Sequence, residues 1–408
     1  MARFALTGFD WEDSRLVLRA VYLPPGYTMR LRLCLAIVLL ISGLVLAGHA
    51  QSSADWAIGP FARPVDEPII KPWPEGVFQD PISAKPVHWE ALHTFNPAAV
   101  VRKGRVVVLF RAEDDSGTMR IGMHTSRLGL AESADGIHFI ALPEPVFYPA
   151  EDSQKAREWP GGVEDPRLVE APDGSYVLTY TQWNRETYTI GIATSRDLRH
   201  WTKHGPALGD TGPYAHLMYK SGGIVTHLEH GRLIAARIHG KFWMYWGEIH
   251  VRVASSDDLI HWTPVEDAQK QPIVVLEHRP GLFDSGFPGV GPPPIETKRG
   301  ILVIYNGKNS AGNGANPDEG KEPDSALGPG AYAAGEALFK ADEPTVPLQR
   351  LEQPVLHPEK PYERSGQYAA GTTFAEGLVF FRHTWFLYYG CADSYVAVAT
   401  APAGPVGK

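Results

Sequence analysis

Cysteine is scarce in this sequence, and the scarcity limits how the fold can be held together. Only Cys34 and Cys391 occur in 408 residues. Cys34 lies in a segment that we expect to be removed, so the mature chain keeps one thiol and cannot form an internal disulfide. Its fold must rest on packing and hydrogen bonding, whatever the redox conditions of its compartment.

Several common functional motifs are missing as well. The histidines show no HExxH or other metal-ligand spacing, and no phosphate-binding loop, dinucleotide fingerprint or GxSxG elbow occurs. We therefore predict no metal ion and no cofactor. Apolar patterns with a helical period are nearly absent, which favours an all-β fold.

The chain also lacks an excess of positive charge. Residues 51–408 contain 33 basic and 43 acidic side chains. A negative surface of this size argues against nucleic acid as a partner. A small neutral oligosaccharide or glycoside fits the charge better.

One long hydrophobic run is present near the N-terminus. Residues 29–50, MRLRLCLAIVLLISGLVLAGHA, have a basic start, an apolar stretch and small residues at the end, the pattern of a secretory signal peptide. The apolar stretch is shorter than the roughly 20 residues of a membrane-spanning helix. We predict a secreted or periplasmic protein without stable membrane insertion after cleavage, although a retained anchor is the alternative. Residues 1–28 then form an extension from a start codon assigned too far upstream.

A repeat of about 60 residues runs through the rest of the chain. Three segments share alternating small and apolar residues, then Ser-x-Asp, then an aromatic residue: 120–139, 189–201 and 251–262. The aspartates Asp135, Asp197 and Asp258 are 62 and 61 residues apart. Two fainter copies follow at 331–344 and 394–404. Runs rich in Val, Ile, Tyr and Trp precede each copy and predict strands. Five such units predict a single-domain five-bladed β-propeller over residues 51–408.

Polar residues recur where the first strand of each repeat begins and where the second ends. In a propeller these positions face one end of the central channel, so their side chains should form one site. The diversity of residue types argues against a purely structural repeat. Carboxylates, amides and aromatic rings are typical of sugar-binding sites. The candidates for substrate binding or catalysis are Asn96, Arg111, Asp115, Glu164, Asp165, Trp183, Lys220, Glu248, Asp284, Asn306, Gln367, Tyr368 and Asp393.

The doublet Glu164–Asp165 raises the question of which carboxylate does chemistry. Adjacent residues of an extended chain point to opposite faces, so we expect only one of them to face the site. If that residue is Asp165, then Arg167 lies on the same side, contributes to the site and lowers the pKa of Asp165. The second carboxylate of an acid–base pair must come from another blade, and Glu248 is our first candidate. Glu164 then binds substrate or braces the strand.

Four motifs resemble glycoside hydrolase family 130, the β-mannoside phosphorylases and β-1,2-mannosidases built on a five-bladed propeller. They are GGVEDPRL, GVGPPPIETKRGILVIYNG, GQYAAGTTF and WFLYYGCADSYVAVAT, in the order of the family, and the likeness runs from about residue 96 to residue 400. The resemblance assigns the catalytic acid to Asp165, which would act through a hydroxyl of the mannose. It also implies an inverting reaction.

The resemblance leaves the nucleophile open between water and phosphate. Lys220 could bind inorganic phosphate, as in the phosphorylases, whereas Asn306 stands where those enzymes tend to have histidine and Glu248 is placed to activate water. Export favours hydrolysis, because a sugar phosphate made outside the cell is hard to recover. We therefore predict a secreted inverting β-mannosidase. A β-mannoside phosphorylase and a non-catalytic sugar-binding propeller are the alternatives.

Overall fold

The computed structural model describes residues 54–312 and 317–404, and their regular structure is almost entirely β-strand. The helical elements there are the single-turn helix α1 (Lys155–Glu158) and a 3-10 turn (Pro361–Glu363). The prediction of an all-β fold is confirmed. The predicted extension and signal peptide, residues 1–50, lie outside the described residues. Within the described ranges no helix has the length and apolar character needed to cross a membrane.

The strands form five consecutive antiparallel groups, preceded by the small pair β1 (Phe78–Gln79) and β2 (Pro86–Val87). The first group contains β3 (His93–Arg102), β4 (Arg105–Glu113), β5 (Ser126–Ser133) and β6 (Phe139–Ala141). The second contains β7 (Gly162–Glu170), β8 (Tyr176–Trp183), β9 (Tyr188–Ser195) and β10 (Trp201–Pro206). Both are ladders in which sequence neighbours pair.

Three further groups follow in chain order, and the strands of the third are divided between two sheets. The third contains β11 (Gly222–Ile224), β12 (Thr226–Glu229), β13 (Arg232–Ala235), β14 (Arg237–Ile238), β15 (Lys241–Trp246), β16 (Val251–Ser256), β17 (Thr263–Pro264) and β18 (Val274–Leu276). The fourth contains β19 (Phe287–Val290), β20 (Ile295–Thr297), β21 (Gly300–Lys308), β22 (Tyr332–Lys340) and β23 (Glu343–Arg350). The fifth contains β24 (Thr373–Phe381), β25 (Thr384–Cys391) and β26 (Tyr395–Pro402). Ala62 and Ile70 bridge to β26, so the N-terminal segment extends the edge of the fifth group.

Strand β4 shows why these sequences form strands that are buried on both faces. Its residues RVVVLFRAE are β-branched or apolar almost throughout, and all but the first are buried. Val106 and Val108 pack in one core cluster, whereas Val107 and Leu109 pack in another. Successive side chains thus enter different cores because they point to opposite faces of the sheet. Each group is therefore held between two neighbours.

The Ser-x-Asp-x-x-His repeat forms three equivalent turns at the outer edges of the groups. In the first turn Asp135 accepts hydrogen bonds from the N–H groups of Ile137 and His138, and Ser133 accepts one from Gly136. The same bonds recur at Asp197 and Asp258. These residues satisfy their own backbone, so the repeat is structural.

Strand β3 packs against both β7 and β24, so the first strands of three groups meet at one place. Each of the three contains a register shift near its start, between Phe95 and Pro97, between Glu164 and Arg167, and between Ala375 and Gly377. Such bulges re-aim side chains and are frequent beside active sites. They bring the polar starts of these strands together.

Candidate active site

A cavity of about 410 Å³ lies where the strand starts meet. It has a polar floor and a partly aromatic wall, as expected for a sugar-binding site. All five groups contribute. Its lining residues are Phe95, Asn96, Arg111, Ile121, Gly122, Glu164, Asp165, Thr181, Trp183, Tyr188, Lys220, Glu248, Tyr332, Gln367, Tyr368, Thr372, Phe374 and Asp393.

The floor of the cavity depends on two bulges with left-handed backbone. Asn96 has a φ of 45° and Asp165 a φ of 46°, and each precedes a proline. Positive φ is uncommon for residues other than glycine, and Asn and Asp are among the types that tolerate it best. The two side chains meet, with the Asn96 amide donating to Asp165 at 2.8 Å. The same unusual conformation in two groups thus places two partners side by side.

Asp165 is the most heavily contacted carboxylate of the floor. It is 3% exposed, accepts a hydrogen bond from Arg111 at 3.0 Å, and lies 3.7 Å from the ammonium of Lys220. Burial alone would raise its pKa, but Arg111, Lys220 and Arg167 together hold the pKa well below its ordinary value. The predicted direction of the shift is confirmed, with Arg111 as the nearest cation. Asp165 is therefore ionised at neutral pH and is a poor direct proton donor.

Glu164 also lies in the cavity and shares Arg111 with Asp165. Its carboxylate is 2.8 Å from the guanidinium. The prediction that the doublet points to opposite faces is wrong, because the bulge at Asp165 breaks the alternation of the strand. Burial and the negative charges of Asp165 and Glu113 raise the pKa of Glu164 to about 7. The positive charge of Arg111 opposes this shift but does not cancel it. Glu164 is therefore the group beside Asp165 that carries a proton near neutral pH.

The fifth group closes the floor with an amide and another carboxylate. Gln367 donates to Glu113 and to the backbone carbonyl of Asp393, both at 2.9 Å. Burial raises the pKa of Asp393 to about 7, opposed by Arg111 and reinforced by Asp165. The site therefore holds more carboxylates than its cations can neutralise.

Glu248 faces Asp165 across Lys220. The ammonium of Lys220 is 3.5 Å from Glu248 Oε2 and 3.7 Å from Asp165 Oδ2. The two carboxylates therefore share one ammonium group, and these two oxygens can be no farther apart than the sum of the two distances. Burial alone would lower the pKa of Lys220, but Glu248 and Asp165 hold it above its ordinary value.

An aromatic wall rises on the side of the second group. Trp183 and Tyr188 face the cavity, with ring centroids 6.3 Å apart. The indole N–H of Trp183 donates to the carbonyl of Gly122 at 2.8 Å, which fixes the ring and the neighbouring loop. A fixed ring of this kind can stack on the apolar face of a sugar. Tyr368 lies on the opposite side and donates to the carbonyl of Gly330.

Four residues predicted for the site lie elsewhere. Asp115 is exposed outside the cavity, because β4 ends at Glu113 before reaching it. Arg167 lies beneath the floor and bonds to backbone carbonyls. Asp284 is enclosed by two arginines. The side-chain amide of Asn306 forms two hydrogen bonds with the backbone of Ala375. In each case the residue lies near the right strand end, but its side chain points into the protein or into solvent.

Several residues that line the cavity were not predicted from the sequence. Tyr332 is the fourth group's contribution in place of Asp284, and it belongs to a strand interpreted only as a faint repeat. Apolar Phe95 and Phe374 look like core residues in the sequence. The omitted residues are Phe95, Ile121, Gly122, Thr181, Tyr188, Tyr332, Thr372 and Phe374. Phe95 and Phe374 lie in bulged strands, and the other omitted residues reach the cavity from neighbouring strands and loops.

A larger and shallower groove of about 720 Å³ runs between the second and third groups. It includes the outer turns of Asp197 and Asp258, whose carboxylates are already bonded to their own backbone. Within the described ranges no set of three or more His, Cys, Asp or Glu side chains is arranged to hold a metal ion. The cavity around Asp165 is thus the better candidate for chemistry.

The family model of glycoside hydrolase family 130, described as β-1,4-mannooligosaccharide phosphorylase, matches residues 71–406. The match spans most of the chain. The chain belongs to glycoside hydrolase family 130. The four sequence motifs are therefore family motifs, and GGVEDPRL is the segment that forms the floor of the cavity.

Individual relatives within this family fall into two classes by name. A 1,2-β-oligomannan phosphorylase of Thermoanaerobacter sp. (strain X514) is 30% identical over 342 residues, covering 82% of this chain and 94% of the relative. A glycosyl hydrolase structure from Bacteroides ovatus is 46% identical, with a TM-score of 0.82 and coverage of 87% and 98%. A further structure is also 46% identical, with a TM-score of 0.82 and coverage of 87% and 99%. Its description states that this family of mannoside phosphorylases contains glycoside hydrolases that target β-1,2-mannosidic linkages in Candida mannan.

Proposed function

We propose that this protein is an inverting β-mannosidase that hydrolyses β-1,2-mannosidic linkages. The observation that carries the proposal is the charge balance of the cavity. Arg111 and Lys220 are the cations among its lining residues, and each already contacts two carboxylates there. A phosphate dianion would have to compete with Glu248 and Asp165 for Lys220. Water meets no such repulsion, and Glu248 is available to accept its proton.

In the proposed reaction the water oxygen attacks the anomeric carbon while the bond to the leaving oxygen breaks. Glu248 takes a proton from the water, as a general base. A proton reaches the leaving oxygen through a mannose hydroxyl that is hydrogen-bonded to Asp165. Because the depressed pKa of Asp165 leaves that carboxylate ionised, the proton comes from Glu164, whose pKa is about 7. Glu164 protonates Asp165 as Asp165 protonates the hydroxyl, and the hydroxyl gives its own proton to the leaving oxygen.

Sequence similarity supports the choice of water and linkage. The two solved structures related to hydrolysis share 46% of their residues with this chain, whereas the oligomannan phosphorylase shares 30%. The β-1,2 linkage is common to one of those structures and to that phosphorylase by their descriptions. The phosphorylase reaction, with inorganic phosphate as nucleophile, is the second candidate because the matching family model bears that description.

The five strand groups would be the blades of a five-bladed propeller. The packing of β3 against β7 and β24 supports this arrangement, as do bonds from Arg167 of the second group to Ser221, Val290 and Gly291 of the third and fourth. A site at the convergence of all five groups is the usual consequence of such a fold. The proposal also includes export, supported by the signal-like segment 29–50.

The deciding experiment incubates the protein with β-1,2-mannobiose with and without inorganic phosphate. We expect free mannose at the same rate in both buffers, and an α-configured product before mutarotation. Phosphate-dependent formation of mannose 1-phosphate would establish the phosphorylase instead. Saturable binding of the disaccharide without turnover in either buffer would establish a sugar-binding protein. Glu248→Gln should abolish release in the first case, since the amide cannot take the proton of water.

A further inference from the structure

Arg167 lies at the point where four strand groups meet, directly beneath the candidate site. Its guanidinium donates to the backbone carbonyl of Asp165 at 2.9 Å and to that of Val290 at 2.8 Å. It forms a fully buried ion pair with Glu376 at 3.0 Å. Arginine presents several donors in a rigid fork, so one side chain can fix several neighbours at once. Arg167 therefore holds the bulge at Asp165 in place from below.

The same guanidinium reaches the other side of the site through Ser221. Arg167 Nη2 donates to the Ser221 hydroxyl at 3.3 Å, and this hydroxyl donates to Glu248 Oε1 at 3.1 Å. Ser221 is only 2% exposed. The Ser221 hydroxyl accepts a hydrogen bond from the Arg167 guanidinium and donates one to the Glu248 carboxylate. Because both hydrogen bonds run in the same direction, each polarises and strengthens the other.

These contacts and Lys220 form a closed ring around the two carboxylates. One arc runs from the Asp165 backbone through Arg167 and Ser221 to Glu248 Oε1. The other runs from Glu248 Oε2 through Lys220 to the Asp165 carboxylate. The ring holds both oxygens of Glu248, Oε1 through Ser221 and Oε2 through Lys220. Without the buried arc, Glu248 would be held by Lys220 alone and would be free to rotate toward it.

We propose that Ser221 and Arg167 are positioning residues that set the placement of Glu248 relative to Asp165. This inference rests on the proposed hydrolysis with Glu248 as base. The hydroxyl matters because its hydrogen bond fixes one carboxylate oxygen of Glu248. Arg167 acts through Ser221 and through the Asp165 backbone, without touching the substrate.

Glu248 has several charged or titratable neighbours besides this arc. Lys220 approaches it from the third group, and burial together with the charge of Glu248 raises the pKa of the Tyr332 phenol in the fourth group. A smaller adjoining cavity is lined by Glu248 together with Tyr188, Lys220, His250, Arg252 and Asp318. Substitution of Ser221 leaves all of these groups unchanged, so a fall in kcat can be assigned to the lost hydroxyl.

The test measures kcat and KM for β-1,2-mannobiose in Ser221→Ala and Ser221→Gly. Ser221 has a φ of 62°, which glycine adopts without strain, so the second variant separates loss of the hydroxyl from a backbone effect. We expect kcat to fall by about 10- to 100-fold in both variants, with KM nearly unchanged, because a small displacement of a catalytic group has effects of this size.

Thr226→Val is the matched control. Thr226 is also fully buried in the third group, and its hydroxyl donates to the Pro294 carbonyl at 2.8 Å, away from the cavity. This variant should lose thermal stability with kcat and KM unchanged. If the Ser221 variants behave like Thr226→Val while the wild type releases mannose, the positioning role is overturned and hydrolysis stands. If the wild type releases no mannose, the proposed function fails and the positioning role fails with it.

Discussion

Asp165 and Asp284 are both buried aspartates near the start of inner strands, and each is held by two cations. Arg111 lies 3.0 Å and Lys220 3.7 Å from Asp165, while Arg279 lies 2.8 Å from Asp284, which Arg350 also contacts. Asp165 lines the cavity, whereas Asp284 is fully enclosed and also accepts a bond from the Tyr305 hydroxyl. The two centres look alike in sequence and differ in what surrounds them.

The charge balance of the two centres explains the difference in role. Around Asp165 the number of carboxylates, which include Glu164, Glu113 and Asp393, is larger than the number of cations. The pKa values of Glu164 and Asp393 are therefore raised to about 7, and these two groups bind protons near neutral pH. Around Asp284 two arginines neutralise one carboxylate, and their remaining donors bond to Tyr305 and to backbone carbonyls. An enclosed ion cluster in which both carboxylate oxygens meet a guanidinium stabilises a fold. An unbalanced cluster beside a cavity can exchange protons with a ligand.

The largest expected effect is that of Asp165→Asn. The amide keeps the size of the side chain but cannot carry the proton relay, so mannose release should fall by about 10²- to 10⁴-fold or more. Arg111 retains Glu113 and Glu164 as partners, so the thermal transition should change little. Product analysis and a melting curve on the same preparation provide the measurement. Near-normal turnover would remove Asp165 from the mechanism.

Asp284→Asn should show the opposite profile. It leaves the partly exposed Arg279 and Arg350 without their carboxylate, which should lower the free energy of unfolding by about 1–3 kcal/mol. The kcat of the folded fraction should stay the same, because Asp284 does not line the cavity. Denaturant unfolding together with titration of active sites separates the two quantities. A stable but inactive variant would show that the two centres are not different in kind.

Asp393→Asn tests the surplus of negative charge near Asp165. The pKa of Asp393 is raised from 3.8 to about 7, so between these pH values the folded state binds more protons than the unfolded state. Stability linked to Asp393 therefore falls as the pH rises from about 4 to 7, and the penalty is complete above pH 7. The asparagine variant should gain up to about 1–2 kcal/mol over the wild type at pH 8 and nothing at pH 4. Melting temperatures at both pH values will show whether the difference changes with pH.

The smallest effect is expected at the outer turns, which contain ion pairs but no cavity chemistry. The imidazole of His200 lies 2.7 Å from Asp197, and its side chain is 89% exposed. His200→Ala should change stability by less than about 1 kcal/mol and leave kcat unchanged, since exposed ion pairs contribute little. A large loss of activity in steady-state assays would mean that the repeat turns have a role beyond structure.

The sequence predicted the all-β class and the approximate strand positions well, because period-2 patterning records which face of a strand is buried. The sequence also predicted that Asn96, Lys220, Gln367 and Asp393 lie in one site with Asp165, and all of them line the cavity. It failed for the Glu164–Asp165 doublet and for Arg167. Strand alternation and the usual effect of proline both predict an extended chain at this point, and the bulge overrides them.

The residues themselves determine the strand pattern, the turn chemistry of the Ser-x-Asp repeat and membership of a mannoside-active family, since these depend on local spacing and composition. Only the tertiary structure decides which buried charges face a cavity and which face each other. Asp165 and Asp284 each pair with cations that lie 54 and 66 residues away in Arg111 and Arg350. Charge interactions depend on distance in space, and the distances that separate a candidate active site from a structural ion cluster are set only when the five groups pack together.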